Sequence, residues 1–272
     1  MDRAIDPNYL TYQYGTTDRL RARLDAHQRF SEHEEDFFDR VLDRLNPRPG
    51  DLVLDVACGP GVYHPRLCGR GVRAVLGVDA SPGMVETCQR QANDRGLPVL
   101  VICGDAQALP VPHAAYDCVM ANHMLFHVPD QRAALGELRR ALKPGGRVVM
   151  TTTDRRDTSR LMSLHRQAAK QLGWVAAAAV VDRFNLDHID FVREIFPDAE
   201  RFVREDAFRF PSTDAVLSYY ASGLIDAIVD APTDGSHREK LLRVMAEHVE
   251  RIIQSEGVFR DPKNAGCFAA SV

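Results

Sequence analysis

Two histidines stand four apart in the stretch Asn122-His123-Met124-Leu125-Phe126-His127. An imidazole changes charge near neutral pH, so either His123 or His127 could act as a general base. A spacing of four also lets two imidazoles share one helical face, as in some zinc sites. The Glu of H-E-x-x-H is missing and no third ligand stands nearby, so no metal is expected. Acidic side chains occur at or near the ends of three apolar runs, at Asp55, Asp79 and Asp105. In an open parallel sheet, ligands lie beyond the carboxyl ends of the strands.

The stretch "VLDVACGPGVYH" (53–64) reads as a strand entering a glycine-rich turn. A dinucleotide fingerprint would carry a third glycine, but Gly59 and Gly61 are followed by His64. The Gly-Lys-Ser/Thr of a triphosphate loop is absent. Pro60 has no N–H, which removes one donor for phosphate oxygens. A ligand without phosphate suits this turn better. Asp79, closing the second strand, could accept both hydroxyls of a ribose. Asp105 could accept the exocyclic amine of adenine, or cap its own turn. Together these groups describe an adenosine without phosphate, which is the chemistry of S-adenosylmethionine.

The elements that must position these groups alternate. Apolar runs at 52–57, 72–79, 98–103, 116–122 and 146–153 read as strands buried on both faces. Between them lie helical patterns. One opens at Ser81-Pro82, a good cap and first-turn pair, and carries Met84, Val85, Cys88 and Ala92 on one face. Another carries Leu135, Leu138 and Leu142 and stops at "KPGG" (143–146). The expected fold is α/β: a doubly wound, mostly parallel sheet of seven strands with helices on both faces.

Residues 16–46 read as two amphipathic helices. Later segments at 157–172, 187–195, 212–230 and 236–255 read as helices, the last opening with a capping box at Ser236 and Glu239. Strands are expected at 199–210 and 264–272. The chain then reads as one domain. Residues 1–46 form an N-terminal helical lid, 50–153 the core, 154–198 and 211–262 a helical cap, and 264–272 the last strand. Phe208, Phe210, Tyr219, Tyr220 and Trp174 could line a pocket under that cap or belong to its core.

The 272 residues are 45% hydrophobic and 26% charged, with a formal net charge of -4. That balance argues against nucleic acid and anionic membrane as partners. The six cysteines form no CxxC pair and read as reduced core residues. The N-terminal residues lack a signal-peptide core, and the longest apolar run is too short to span a bilayer. A soluble, cytoplasmic protein is expected, monomer or homodimer.

With these stretches in view, the sequence resembles the class I S-adenosylmethionine-dependent methyltransferases, in the branch similar to ubiquinone/menaquinone-biosynthesis and natural-product enzymes. The first motif matches Asp55-Val56-Ala57-Cys58-Gly59-Pro60-Gly61, and the ribose-binding acid matches Asp79 in "GVDASPGM". The adenine-side segment matches "GDAQALP", the fourth-strand segment "YDCVMANHMLFHVPD", and the post-helix turn "LKPGGRVVM". The resemblance covers roughly residues 50–153. It implies the Rossmann-like fold, S-adenosylmethionine as cofactor and a small-molecule acceptor. It implies cofactor contacts from Asp55, Ala57, Gly59, Gly61, Asp79, Ala80, Met84, Asp105, Ala106, Asn122 and His123. It also implies that one of Tyr14, Arg23 or His27 meets the cofactor's carboxylate. Ala57 replaces a family glycine, which a backbone in ordinary β geometry tolerates. Asn122-His123-Met124-Leu125 lacks the Pro-Pro-aromatic motif of nucleic-acid amino methyltransferases. The alternatives are a nucleic-acid or protein methyltransferase, or a non-catalytic S-adenosylmethionine-binding protein of the same fold.

Overall fold

The computed structural model describes residues 3–33, 35–155, 158–232 and 234–272. At its centre is one sheet built from β1 (Leu52–Val56), β2 (Ala74–Asp79), β3 (Val99–Cys103), β4 (Tyr116–Asn122), β5 (Leu142–Thr153), β6 (Glu200–Phe210) and β7 (Phe259–Ser271). The spatial order is β3-β2-β1-β4-β5-β7-β6. β7 runs antiparallel to both its neighbours, and the other pairs are parallel. Strand order reverses beside β1, because the chain walks out to β3 and returns on the other side as β4. That switch point opens a crevice at the strand ends.

The N-terminal segment holds α1 (Pro7–Tyr14), α2 (Asp18–Phe30) and α3 (Phe37–Leu45). α3, α4 (His64–Gly69) and α5 (Pro82–Asp94) cover one sheet face, packing Leu42, Leu45, Leu67 and Ala92 on Val53, Val75 and Met120. α6 (Gln131–Ala141) covers the other, setting Leu135 and Leu138 against Leu54, Val119 and Met150. Helices therefore lie on both faces, as expected. Ser81 caps α5, its Oγ accepting the Met84 N–H at 3.4 Å.

A second core lies apart from the sheet faces. α2, α7 (Arg160–Gln171), α9 (Thr213–Ala221) and α10 (Ser236–Glu256) meet there around Phe208, Phe210, Tyr220 and Phe259. β6 pairs with β7 along its whole length, whereas β5 pairs only with 265–271. The remainder of β6 and β7 extends as a two-stranded ribbon that carries this core.

Several expectations change. α1 precedes the two expected N-terminal helices. Asp6 caps it, accepting from the Asn8 N–H at 2.8 Å, and Pro7 starts it. The block 154–198 is divided. α7 joins the second core, while Val181, Phe184, Phe196 and α8 (Ile189–Arg193) pack on the sheet face with α6. Position 157, where the first helix of that block was expected to start, lies outside the described residues. β7 begins at Phe259, not 264. Asp261 and Lys263 look like loop residues in sequence, but both are buried and paired. Asp261 accepts from Ser159 Oγ at 3.0 Å, and Lys263 Nζ donates to Asp206 at 2.7 Å. α9 stops at Ala221, with Gly223 close behind. Gly235, at φ +73°, precedes α10, so Ser236 is the first helical residue and forms no capping box; its N–H donates to Asp234 at 2.9 Å. The aromatic residues 208, 210, 219 and 220 are core, and Trp174 sits at its edge.

Candidate functional site

β1 delivers the chain into the turn 57–61. Ala57 has φ +54°, Gly59 +55° and Gly61 +78°. The left-handed Ala57 corrects the expectation of ordinary β geometry: its Cβ is strained against the backbone where glycine would not be. β2 delivers Asp79 beside this turn. Its Oδ2 accepts the Gly59 N–H at 2.8 Å and its Oδ1 accepts the Ser81 N–H at 2.9 Å. Burial raises the Asp79 pKa, and these two bonds oppose the rise. One carboxylate thus fixes the turn after β1 and the entry to α5. Each of its oxygens retains a second lone pair for a ligand hydroxyl.

β4 ends at Asn122 between these elements and β5. Both polar atoms of the Asn122 amide are buried without a partner among the described residues. Unpaired buried groups of this kind are rare in folded proteins. The chain then turns sharply, His123 taking φ +51° with its N–H held by the Thr151 carbonyl at 3.0 Å. Its ring packs 5.9 Å from that of Phe37. A single 3-10 turn follows at Leu125–His127, so the two histidines share no helical face.

The N-terminal helices roof the turn. The Tyr14 carbonyl accepts from Ser81 Oγ at 3.1 Å. A side chain at Gly83 would strike the Gly15 carbonyl at 2.7 Å, and one at Gly59 would touch Leu20. The Arg23 guanidinium lies 5.7 Å from the Tyr14 ring centre and donates to Gln13 Oε1 and the Ser222 carbonyl. Arg23 Nη2 and Gln13 Nε2 are buried donors without partners among the described residues. His27 turns elsewhere, against Phe208 and Lys263 Nζ.

His127 ties the N-terminal segment to the turn after β4. Its Nδ1–H donates to the Ala4 carbonyl at 2.8 Å and its Nε2 accepts from the Tyr14 hydroxyl at 2.9 Å. Burial lowers its pKa to about 4, so the ring is neutral, with both nitrogens engaged. Asp55 is buried beneath the turn and meets His64 Nε2 at 3.1 Å. Asp105 is exposed and accepts from the N–H of Gln107 at 2.8 Å, so it caps its own turn beside β3. Ala80 is exposed, whereas Met84 and Ala106 are buried.

Sequence spacing concealed two features. Asp226 joins the roof to the second core, pairing with Arg19 at 3.3 Å and with Arg238 and His237. The reading of no metal-ligating constellation considered sequence neighbours only. The fold brings Cys58, His64 and Cys88 together, with their ligand atoms within 4.8 Å of one another.

The residues present suit an adenosine-sulfonium amino acid: an acid for a diol, unpartnered donors for a carboxylate, a free amide, and a glycine turn. Comparison with known proteins agrees. The family described as "Methyltransferase domain" matches residues 54–150. Demethylmenaquinone methyltransferase of Thermus thermophilus is 38% identical over 112 residues, 41% of this chain and 51% of the relative. The 27-O-demethylrifamycin SV methyltransferase of Amycolatopsis mediterranei is 35% identical over 118 residues, 41% of this chain and 42% of the relative. The chain thus spans about half or less of the length of these curated relatives. The crystal structure of the [4+2]-cyclase SpnF shares the fold with a TM-score of 0.60 at 18% identity, over 99% of this chain and 97% of that one. No helix among the described residues is long and apolar enough to cross a membrane. Residues 54–150 therefore match a methyltransferase domain.

Proposed function

We propose that the chain transfers a methyl group from S-adenosylmethionine to an oxygen, nitrogen or carbon atom of a small-molecule acceptor, in secondary or cofactor metabolism. The observation that carries this reading is Asp79, fixed by Gly59 and Ser81 and set next to the turn after β1. The names of the two curated relatives support a small acceptor. The net charge of -4 speaks against nucleic acid.

When bound, S-adenosylmethionine supplies a methyl group already activated by a positively charged sulfur. The chain's work is to hold, align and exclude water. Asp79 accepts from the ribose hydroxyls. Arg23 Nη2 and Gln13 Nε2 donate to the amino-acid carboxylate. Asn122 uses its unpaired amide, and the segment at Asp105 and Ala106 borders the adenine. α1 and α2 act as the lid. α7, α9 and α10 form the substrate cap. His123, at the end of β4, takes the acceptor's proton.

The test is a screen of methyl-labelled donor against a metabolite library, read by mass spectrometry, with donor binding measured by calorimetry. A labelled product and saturable binding are expected. Binding without product from any acceptor would favour a non-methylating protein of the same fold. Absence of binding would sink the reading altogether.

A further inference from the structure

Beneath the turn after β1, three side chains from three different segments converge. Cys58 comes from the turn, His64 from the start of α4 and Cys88 from α5. All are buried, and their ligand atoms lie within 4.8 Å of one another. We propose that Cys58, His64 and Cys88 form a binding site for a zinc(II) ion that pins the turn to α4 and α5. The proposal is independent of the reaction assigned above.

Four observations carry it. The first is spacing. Tetrahedral zinc with Zn–S of about 2.3 Å and Zn–N of about 2.0 Å separates a sulfur from a nitrogen ligand by about 3.5 Å. Cys88 Sγ and His64 Nδ1 are 3.5 Å apart. The second is orientation. His64 Nε2 lies 3.1 Å from the Asp55 carboxylate, to which it donates. This leaves the Nδ1 lone pair facing the sulfur of Cys88. A carboxylate behind the far nitrogen is the usual support of a metal-bound histidine.

The third is room. A side chain at position 61 would strike Cys88 Sγ and His64 Nδ1, each at 2.6 Å, so glycine keeps the space beside them clear. The fourth is ligand chemistry. Soft sulfur ligands select zinc over magnesium or calcium. Three protein ligands leave one position for a solvent-derived ligand.

The competing account is a thiol–imidazole hydrogen bond with no ion. The experiment uses the reduced full-length chain, stripped with a chelator. Zinc(II) is titrated in competition with a chromophoric chelator, and cobalt(II) serves as a spectroscopic probe. Expected are one zinc per chain and a thiolate-to-cobalt charge-transfer band with the visible bands of a four-coordinate ion. Cys88→Ala, Cys58→Ala and His64→Gln should each weaken zinc binding at least tenfold and erase or shift that spectrum. Asp55→Asn should weaken it about 10–100-fold. The exposed Cys103→Ala serves as control and should change nothing. The wild-type cobalt spectrum needs no variant to fold. A wild-type chain that takes no stoichiometric zinc, or a spectrum unchanged when Cys58 and Cys88 are both alanine, overturns the site.

Discussion

The Tyr14 hydroxyl meets His127 Nε2 at 2.9 Å, joining the end of α1 to the turn after β4. The other ring nitrogen holds the Ala4 carbonyl, so one imidazole fastens two points of the N-terminal segment. Tyr14→Phe removes the donor and leaves a part-buried acceptor unsatisfied, at a cost of about 1–3 kcal/mol. Affinity for S-adenosylhomocysteine, measured by calorimetry, should fall about 5–100-fold if the roof must close on the ligand. Unchanged affinity would show that this tether plays no part in binding.

The same imidazole makes the roof sensitive to acid. Its folded pKa of about 4 lies below the ordinary value of 6.5. The unfolded or opened state therefore binds the proton more tightly. The stabilisation is fully present above about pH 6.5 and is lost as pH falls toward 4. Between pH 7 and 5 the loss should be about 1–2 kcal/mol. Hydrogen exchange in α1 should accelerate over that window. His127→Gln has no titrating ring, so its exchange should depend much less on pH. Identical pH profiles in the two proteins would refute the assignment.

Ala57 carries the positive φ that a glycine would adopt without strain. The left-handed conformation costs an alanine about 1–2 kcal/mol, and glycine's extra unfolded-state freedom returns part of the gain. Ala57→Gly should therefore stabilise the chain by about 0.5–1 kcal/mol, a rise of a few degrees in Tm. A lower Tm by calorimetry would mean that the methyl's packing outweighs its strain.

The sheet was legible from β1 to β4 because strands buried on both faces read as unbroken apolar runs, and β4 matches its expected range. β7 was only partly legible. Its first half leaves the sheet as a ribbon, where Asp261 and Lys263 sit buried in ion pairs and hydrogen bonds that no period reveals. α1 was missed because its apolar residues follow no clear stripe. Asp79 could be found from its place at a strand end. The role of His127 could not, since its partners lie more than a hundred residues away in sequence. The trio at 58, 64 and 88 has no motif spacing, and only the packing of α5 against the turn brings it together.

Asp79 offers the most direct test of the cofactor site. Its carboxylate accepts two backbone N–H groups, so Asp79→Asn keeps the side chain's size but removes the charge and one of the two acceptors. A charge-assisted hydrogen bond contributes about 1.5–3 kcal/mol. Calorimetry should show S-adenosylmethionine binding weakened by about 10–100-fold in a variant whose circular dichroism is unchanged. Wild-type affinity would remove Asp79 from the ribose contact.

His123 is the base proposed above, and its position makes the test clean. It follows Asn122 at the end of β4, where the polar ends of β1 and β2 also gather. Its φ of +51° is a conformation that asparagine tolerates well, so His123→Asn removes the imidazole without forcing the backbone. If the imidazole takes the acceptor's proton, turnover should fall about 10²–10⁴-fold while donor affinity holds. The acidic limb of kcat against pH, set by a neutral imidazole, should vanish in the variant. His127→Asn should behave in the opposite way, weakening donor binding through the roof and leaving that limb in place. A variant at 123 with wild-type turnover and pH profile would assign the rate to alignment alone, with the acceptor losing its proton to solvent.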